Sequence, residues 1–269
     1  MKKTEMRNEK SRHIDTMDTV SMLKLISEEN FNAAKAVDDA IGMISAAVDA
    51  VAAAIAKGAR MIYIGAGTSG RLGVLDAAEC PPTFGVGFGE AVDAILAGGI
   101  GCMIRASEGA EDSGEAGVRD LLEKNITPDD VIVGISASGG ARYVNDALLE
   151  AKKLGCLTVG ISSVEDSELC RIADFPIFTD TGAEVITGST RMKAGTAQKL
   201  VLNMLSTCAM IKNGKVYENL MSNLRPTNQK LRLRVIGIVK EITGLSDEDA
   251  IALLEENEWN IRKAVENRT

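Results

Sequence analysis

Short apolar runs alternate with longer amphipathic stretches through most of this 269-residue chain. Mainly apolar runs at 61–64, 131–135 and 157–161 each lead into a turn rich in glycine or serine, and then into a helical pattern. Such runs, bounded by turns, are typical of buried parallel strands. Further strands are predicted at 175–178 and 91–96. The alternation predicts an α/β fold with a doubly wound, mainly parallel sheet and helices on both faces.

Helical periodicity dominates the two ends of the chain. Residues 31–57 predict one long, alanine-rich helix that ends at Gly58, and residues 192–211 predict a long, largely buried helix. Beyond Pro226 the segments become charged, and Ser246 followed by three acidic residues predicts a helix N-terminus. The pattern of this tail resembles a small ubiquitin-associated (UBA) helical module, for which a packing role is the simplest interpretation. We predict an N-terminal helical segment (1–57), a central domain (58–225) and a C-terminal helical region (226–269).

Composition narrows the possible partners and the compartment. Lys and Arg number 30 against 38 Asp and Glu, a net charge of -8 that argues against a general nucleic-acid binder. Five cysteines without a close pair, and one histidine, predict neither a disulfide framework nor a metal site. The N-terminus lacks the apolar core of a signal peptide, and the alanine-rich run at 46–56 contains Asp49. We therefore expect no membrane span and a cytoplasmic protein.

The turn after the first strand has the chemistry of a phosphate site. Glycines let the backbone approach an anion, and the amides that begin the following helix can point at it. Hydroxyl groups at this helix start suit the oxygens of a phosphate monoester. The candidate ligands are Gly67, Thr68 and Ser69.

The same glycines also fit the dinucleotide fingerprint Gly65-x-Gly67-x-x-Gly70. That site requires an acidic residue at the end of a second strand about 20 residues later. The next acidic candidate, Glu79, instead stands directly before Cys80-Pro81-Pro82, where we expect the prolines to end any helix. The spacing therefore disfavours a dinucleotide, and a purely structural turn remains the other alternative.

A second turn, Ser136-Ala137-Ser138-Gly139-Gly140, follows the strand at 131–135. Helix capping by serine would explain Ser136 and Ser138 if the turn stood alone. Paired with the first turn at the carboxyl ends of parallel strands, the two serines favour a shared phosphate site.

Carboxylates supply the candidate acid–base chemistry. Glu108, Glu111 and Asp112 form an acidic cluster, which is usually a solvated face, and nothing in the residues selects one of the three. A lyase or isomerase acting beside a carbonyl needs a base and an acid with separated pKa values. Glu79 is a reasonable half of such a pair.

Long blocks of this chain resemble the N-acetylmuramic acid 6-phosphate etherases, which belong to the sugar isomerase (SIS) fold group. The resemblance covers nearly the whole chain. It is carried by Arg7-Asn8, residues 65–71, residues 79–83, residues 108–112, Ser136-Ala137-Ser138-Gly139, Gly182-Ala183-Glu184-Val185 and residues 187–199.

The resemblance implies a lyase that removes D-lactate from the C3 ether of N-acetylmuramate 6-phosphate, by elimination and hydration, without cofactor or metal. By position, Glu79 matches the family's general acid and Glu111 its general base. The resemblance also implies a homodimer in which Glu184 and the segment Ser189-Thr190-Arg191-Met192-Lys193 lie near a site shared between subunits. Glu184, Ser189, Thr190 and Lys193 thus join the candidate binding residues.

The chain departs from the family pattern in its loop and tail. Members commonly carry Gly-Arg-Thr-Pro after the second serine turn, whereas this chain has Gly139-Gly140-Ala141-Arg142. Residues 246–267 correspond to only the first part of the usual tail. Two alternative functions on the same fold are an aldose–ketose sugar phosphate isomerase and a non-catalytic sugar-phosphate-binding regulator. Release of lactate would distinguish the etherase from both.

Overall fold

The computed structural model describes residues 3–105, 107, 109–224, 226 and 229–266. Its strands are β1 (Met61–Gly65), β2 (Val92–Leu96), β3 (Val131–Ile135), β4 (Leu157–Ser162) and β5 (Phe175–Phe178). Its helices are α1 (Thr19–Asp39), α2 (Ile41–Ala56), α3 (Gly67–Phe84), α4 (Gly114–Leu122), α5 (Arg142–Lys153), α6 (Glu168–Ile172), α7 (Lys193–Lys212), α8 (Gln229–Thr243), α9 (Asp247–Glu256) and α10 (Ile261–Glu266).

The five strands form one parallel sheet in the order β2-β1-β3-β4-β5. From β1 the chain first crosses to β2 on one side and then returns to β3 on the other. The crevice between the carboxyl ends of β1 and β3 is therefore the point at which the winding direction reverses, where open α/β sheets usually bind ligands. The α/β fold class predicted from the sequence is confirmed.

Two apolar layers cover the sheet, one on each face. The layer on one face includes residues of α1, α2, α3 and α7, and the layer on the other includes residues of α4, α5 and α6. The central strands β1 and β3 are buried along their whole length, which explains why they are apolar runs without alternation.

The long helix predicted at 31–57 is two helices. α1 ends at Asp39 and α2 begins at Ile41, with a bend of 59° between them. Ala40, at the junction, has a non-helical backbone (φ -94°, ψ 2°) and is buried in the core. The alanine periodicity is continuous through the bend because both helices bury small residues against α7.

The prediction that Pro81 and Pro82 end any helix is wrong, because α3 continues through them to Phe84. The φ that proline imposes is helical, so the two residues lose hydrogen bonds to the preceding turn without forcing the chain out of the helix. The helix ends instead at Gly85, whose φ of +68° is left-handed and whose N–H donates to the Pro81 carbonyl at 3.0 Å.

The C-terminal helices α8, α9 and α10 enclose their own apolar cluster, which includes Leu224, Val235 and Leu254. The predicted helix start is confirmed, since the Ser246 hydroxyl accepts a hydrogen bond from the Asp249 N–H at 3.1 Å. Across the described residues no one helix has the length and apolarity needed to cross a membrane. The bent pair α1 and α2 meets those criteria jointly, by length and composition alone.

Candidate functional site

The turn between β1 and α3 leaves the first helical amides uncapped by any side chain. Ala66 is the N-cap residue of α3 and offers no side-chain acceptor, while Gly67 adopts a φ of +55°. A Cβ at Gly65 would lie 2.7 Å from the Gly70 nitrogen, and one at Gly70 would lie 2.3 Å from the Gly65 oxygen. These glycines are thus required for the close approach of strand and helix, and the free amides suit an anion.

The turn between β3 and α5 has the same character. The N-cap residue of α5 is Ala141, which again provides no side-chain cap, so capping by serine does not explain this turn. Ser138 Oγ instead accepts from the Gly140 N–H at 3.3 Å within the turn. Ser136 is buried at the strand end, and among the described residues its hydroxyl has no hydrogen-bond partner, like that of Thr68.

The two turns lie side by side because β1 and β3 are paired, with Gly65 opposite Ile135. Neighbouring strands are about 4.8 Å apart, so the two turns that follow them lie close together at this edge of the sheet. We call this region, formed by Gly67–Ser69 and Ser136–Ser138, the hydroxyl crevice. It combines hydroxyl groups with the uncapped N-terminus of α3, which is the chemistry that binds a phosphate.

Glu111 belongs to the same edge of the sheet. It is exposed and lines a cavity of about 350 Å³ together with Gly67, Arg71 and Cys102. Its carbonyl accepts a hydrogen bond from the Tyr143 N–H at 3.0 Å, which fixes the loop against α5. Asp112 is also exposed, and Glu108 lies outside the described residues.

Glu79 is placed elsewhere. It is an exposed residue of α3, and it follows Gly67 by twelve positions, about 18 Å along a helix axis. The cavity that contains Glu111 and Gly67 does not include Glu79. Within one chain, the structure therefore does not bring the two predicted catalytic carboxylates together. Leu75, one turn earlier on the same helix face, is 44% exposed.

Glu184 and Lys193 have internal partners at the start of α7. The Glu184 carboxylate accepts the N–H of Lys193 at 3.0 Å and the N–H of Ala194 at 2.9 Å, so it caps the helix. Lys193 is 1% exposed, and its Nζ lies 2.5 Å from Glu29 Oε2. Lys10 Nζ and Asn8 Nδ2 also donate to Glu29, at 2.9 and 2.8 Å. We call these five residues (Asn8, Lys10, Glu29, Glu184 and Lys193) the α7 cap cluster.

Electrostatics keep Glu29 of the cap cluster ionised. Burial opposes ionisation of Glu29, yet hydrogen bonds from Lys193, Lys10 and Asn8 outweigh it and lower the pKa of Glu29 to about 2. Sequence reasoning missed Glu29, although its place one turn before Ala33, on the buried stripe of α1, was a usable signal. A charged residue on an apolar stripe requires a buried partner.

Ser189 and Thr190 lie half-buried in the turn before α7. The Thr190 carbonyl accepts the Gly195 N–H at 2.9 Å, and a Cβ at Gly195 would lie 3.4 Å from the Thr68 methyl group. The start of α7 that follows this segment therefore packs against Thr68 of the hydroxyl crevice. Among the described residues, no group of three His, Cys, Asp or Glu side chains could hold a metal ion. The absence of a cofactor stays a prediction.

Buried polar contacts that the sequence did not single out join α3 to its neighbours. Ser69 Oγ donates to Gln198 Oε1 of α7 at 2.9 Å. Further along, the Tyr63 hydroxyl donates to Asp76 Oδ2 at 2.8 Å, and burial raises the pKa of Asp76. Only the packing of distant elements reveals these pairs.

Three family models match parts of the chain, and the first two matches overlap. The model of the glucokinase regulatory protein N-terminal SIS domain matches residues 43–152, and that of the SIS domain matches residues 110–207. A UBA-like domain matches residues 239–267. The exact domain limits predicted above stay a prediction.

Several similar curated proteins carry the same name. An N-acetylmuramic acid 6-phosphate etherase of Clostridium beijerinckii is 50% identical over 97% of this chain and 86% of its own length. The protein of that name in Shigella flexneri is 51% identical over 97% of this chain and 88% of its own. One from Clostridium botulinum is 47% identical over 97% of this chain and 86% of its own.

Solved structures share the fold at low identity. A phosphoheptose isomerase from Francisella tularensis has a TM-score of 0.54 and 16% identity, over 72% of this chain and 98% of its own. A Bacteroides fragilis protein described as a phosphosugar isomerase involved in capsule formation has a TM-score of 0.56 and 22% identity, over 73% of this chain and 94% of its own. At this identity the likeness supports the fold and not an isomerase activity.

Proposed function

This chain belongs to the family of N-acetylmuramic acid 6-phosphate etherases, and we propose that it cleaves the C3 lactyl ether of N-acetylmuramate 6-phosphate. The products are N-acetylglucosamine 6-phosphate and D-lactate, which places the enzyme in cell-wall amino-sugar recycling. The observation that supports this most is the hydroxyl crevice with Glu111 beside it, because a sugar phosphate needs both an anion site and a base. A phosphorylated sugar does not cross membranes unaided, so we propose the cytoplasm as its compartment.

The hydroxyl crevice holds the 6-phosphate in this proposal. The free amides at the start of α3, with Thr68, Ser69, Ser136 and Ser138, donate to the phosphate oxygens. Fixing the phosphate at the switch point directs the sugar toward the loop that carries Glu111.

Elimination then requires a base and an acid. With the sugar ring open, the aldehyde at C1 acidifies the C2 proton, and the Glu111 carboxylate removes it. The electron pair forms a C2–C3 double bond as the C3–O bond breaks, and Glu79 protonates the departing lactate oxygen. Water then adds to C3 while a proton returns to C2. Each carboxylate thus reverses its role, and the sum of the two steps is hydrolysis of the ether.

The separation of Glu79 from the crevice leads us to propose that a second copy of the chain supplies it. Glu79 is exposed beside Leu75, and Val20, Leu23 and Phe31 form an exposed apolar stripe on one face of α1. A twofold dimer that buries these surfaces could bring Glu79 of the partner subunit to the crevice of this one. Glu184, Ser189, Thr190 and Lys193 then act through the helix start that abuts the crevice.

Carboxylate substitutions test the reaction. Glu111→Gln should abolish both D-lactate release and exchange of the C2 proton with deuterium, because no base remains. Glu79→Gln should block lactate release while leaving C2 exchange measurable. Loss of either group should lower the rate by about 10²–10⁴-fold. The control is Asp112→Asn, an exposed neighbour that should retain activity, and full activity in Glu111→Gln would contradict the assignment.

A mixed dimer tests where the acid comes from. Glu79→Gln and Glu111→Gln proteins should each be inactive alone, and should regain activity when unfolded and refolded together. Random pairing gives one complete site in half of the dimers, which is about a quarter of the wild-type activity for a twofold dimer. If both carboxylates acted from one chain, the mixture would stay inactive.

A further inference from the structure

Gln198 is a buried residue in the second turn of α7, and only the oxygen of its side-chain amide is hydrogen-bonded. The residue is 1% exposed, and its Oε1 accepts the Ser69 hydroxyl at 2.9 Å. Its Nε2 is buried and has no hydrogen-bond partner among the described residues. An unpaired buried N–H group is costly and rare in folded proteins, so this amide requires an explanation.

The hydrogen bond to Gln198 uses the only hydroxyl proton of Ser69. A serine hydroxyl has one O–H to donate, and a phosphate dianion has only acceptors at the exposed oxygens. While Ser69 donates to Gln198, it cannot also donate to a phosphate in the hydroxyl crevice. In the orientation found here, the buried serine of the first turn is therefore turned away from the anion that the crevice suits.

Rotation of the Gln198 amide by 180° reverses this hydrogen bond. The terminal torsion of glutamine is broad and roughly twofold, so the exchange of Oε1 and Nε2 needs little other movement. Nε2 would then donate to Ser69 Oγ, and the unpaired donor would be satisfied. The Ser69 proton would be released toward the crevice, while the amide oxygen would take the buried place, where an unpaired acceptor is better tolerated than a donor.

We propose that Gln198 is a positioning residue that sets the direction of the Ser69 hydroxyl and thereby the affinity for the phosphate group. The inference rests on the phosphate site of the proposed function. Gln198 acts through Ser69 and does not touch the ligand. Gly195, one helical turn before Gln198, packs against Thr68, so the start of α7 lies beside both Thr68 and Ser69.

Two substitutions at Gln198 separate positioning from packing. Glutamate keeps the shape of glutamine, but when ionised it accepts only, so it holds the Ser69 proton and adds a charge. Methionine fills a similar volume and neither donates nor accepts. We expect the dissociation constant of N-acetylglucosamine 6-phosphate to rise about 100-fold or more in Gln198→Glu, because the charge-assisted hydrogen bond from Ser69 is lost and a negative charge is added. In Gln198→Met it should rise about 10-fold, because the hydroxyl is no longer held in the direction of the phosphate.

A packing role predicts the opposite order, with the shape-conserving glutamate the milder change. Calorimetric titration measures the affinities, thermal unfolding checks the fold, and Gln229→Glu, at an exposed glutamine of α8, is the matched control for added charge. Equal effects of the two substitutions, or none, would overturn the proposal. If Gln198→Glu does not fold, the methionine variant and the next measurement still decide.

The double variant Ser69→Ala plus Gln198→Met tests whether Gln198 affects phosphate binding through Ser69. Because Gln198 acts through Ser69, the methionine substitution should weaken binding no further once the hydroxyl is gone. A full additional loss of about 10-fold would refute the proposal. Titration with inorganic phosphate repeats the comparison without a sugar. If the wild type binds phosphate as described yet releases no lactate, the proposed reaction fails while the role of Gln198 stands.

Discussion

The hydroxyl crevice and the α7 cap cluster lie at the same edge of one sheet, and their polar groups are used in opposite ways. In the cap cluster each charged side chain has a partner: Glu184 accepts two helix amides, and Glu29 accepts from Lys193, Lys10 and Asn8. In the crevice the backbone amides that begin the helices lack side-chain caps. Ser69 donates to the side-chain amide of Gln198, which could equally donate to Ser69 if it were rotated.

The comparison separates polar side chains that pair with one another from side chains whose hydrogen-bonding groups stay unused within the chain. The two turns predicted a binding role for Thr68 and Ser136, and the family resemblance added Lys193 and Glu184. The structure divides this set, because a buried ion pair is expensive to break whereas an unused hydroxyl can bind a phosphate at no cost to the fold. Substitutions in the α7 cap cluster should therefore change the free energy of unfolding, and substitutions in the hydroxyl crevice should change the affinity for phosphate.

The largest change in stability is expected for Lys193→Met. It leaves the Glu29 carboxylate buried without its closest partner, and breaking a buried pair from one side costs about 3–5 kcal/mol of unfolding free energy. Urea denaturation measures this. Lys212→Met on the same helix is the control, since its pair with Asp49 is on the surface and should matter by less than about 1 kcal/mol. Little loss of stability with a large loss of affinity would instead make Lys193 a ligand.

A smaller change in the free energy of unfolding is expected when the pH is lowered. The pKa of Glu29 is lowered to about 2 in the folded protein from 4.5, so its contribution is complete above pH 4.5 and is lost as the pH falls toward 2. The difference in unfolding free energy between wild type and Glu29→Gln should therefore narrow by about 2 kcal/mol from about pH 6 to about pH 3. Glu28→Gln, at the exposed neighbouring position, should show no such narrowing.

The smallest change in stability is expected in the hydroxyl crevice. Thr68→Val combined with Ser136→Ala removes hydroxyls that have no partner among the described residues, so the unfolding free energy should shift by less than about 1 kcal/mol. Affinity for N-acetylglucosamine 6-phosphate should fall about 100-fold or more, because two charge-assisted hydrogen bonds are lost. A variant that unfolds more easily but binds normally would reverse the comparison.

The strands, the long helix at 193–212 and the two glycine- and serine-rich turns could be predicted because their signals are local. Apolar runs, turn residues and caps act over a few positions, and parallel strands bring their carboxyl ends together. The sequence could not predict the break at Ala40, because small buried residues continue the same periodicity through it. Nor did it predict the helical prolines, since the left-handed Gly85 and not proline ends α3.

By itself the sequence determined the sheet, the family and the two turns rich in glycine and serine at the strand ends, since these depend on local pattern and on long matching blocks. Only the tertiary structure decided how the polar residues are used. Lys193 meets Glu29 across 164 positions and Ser69 meets Gln198 across 129, while Glu79 and Gly67 stand far apart on one helix. The reason is physical: a buried polar group takes its role from its partner, and helix packing, not sequence spacing, selects that partner.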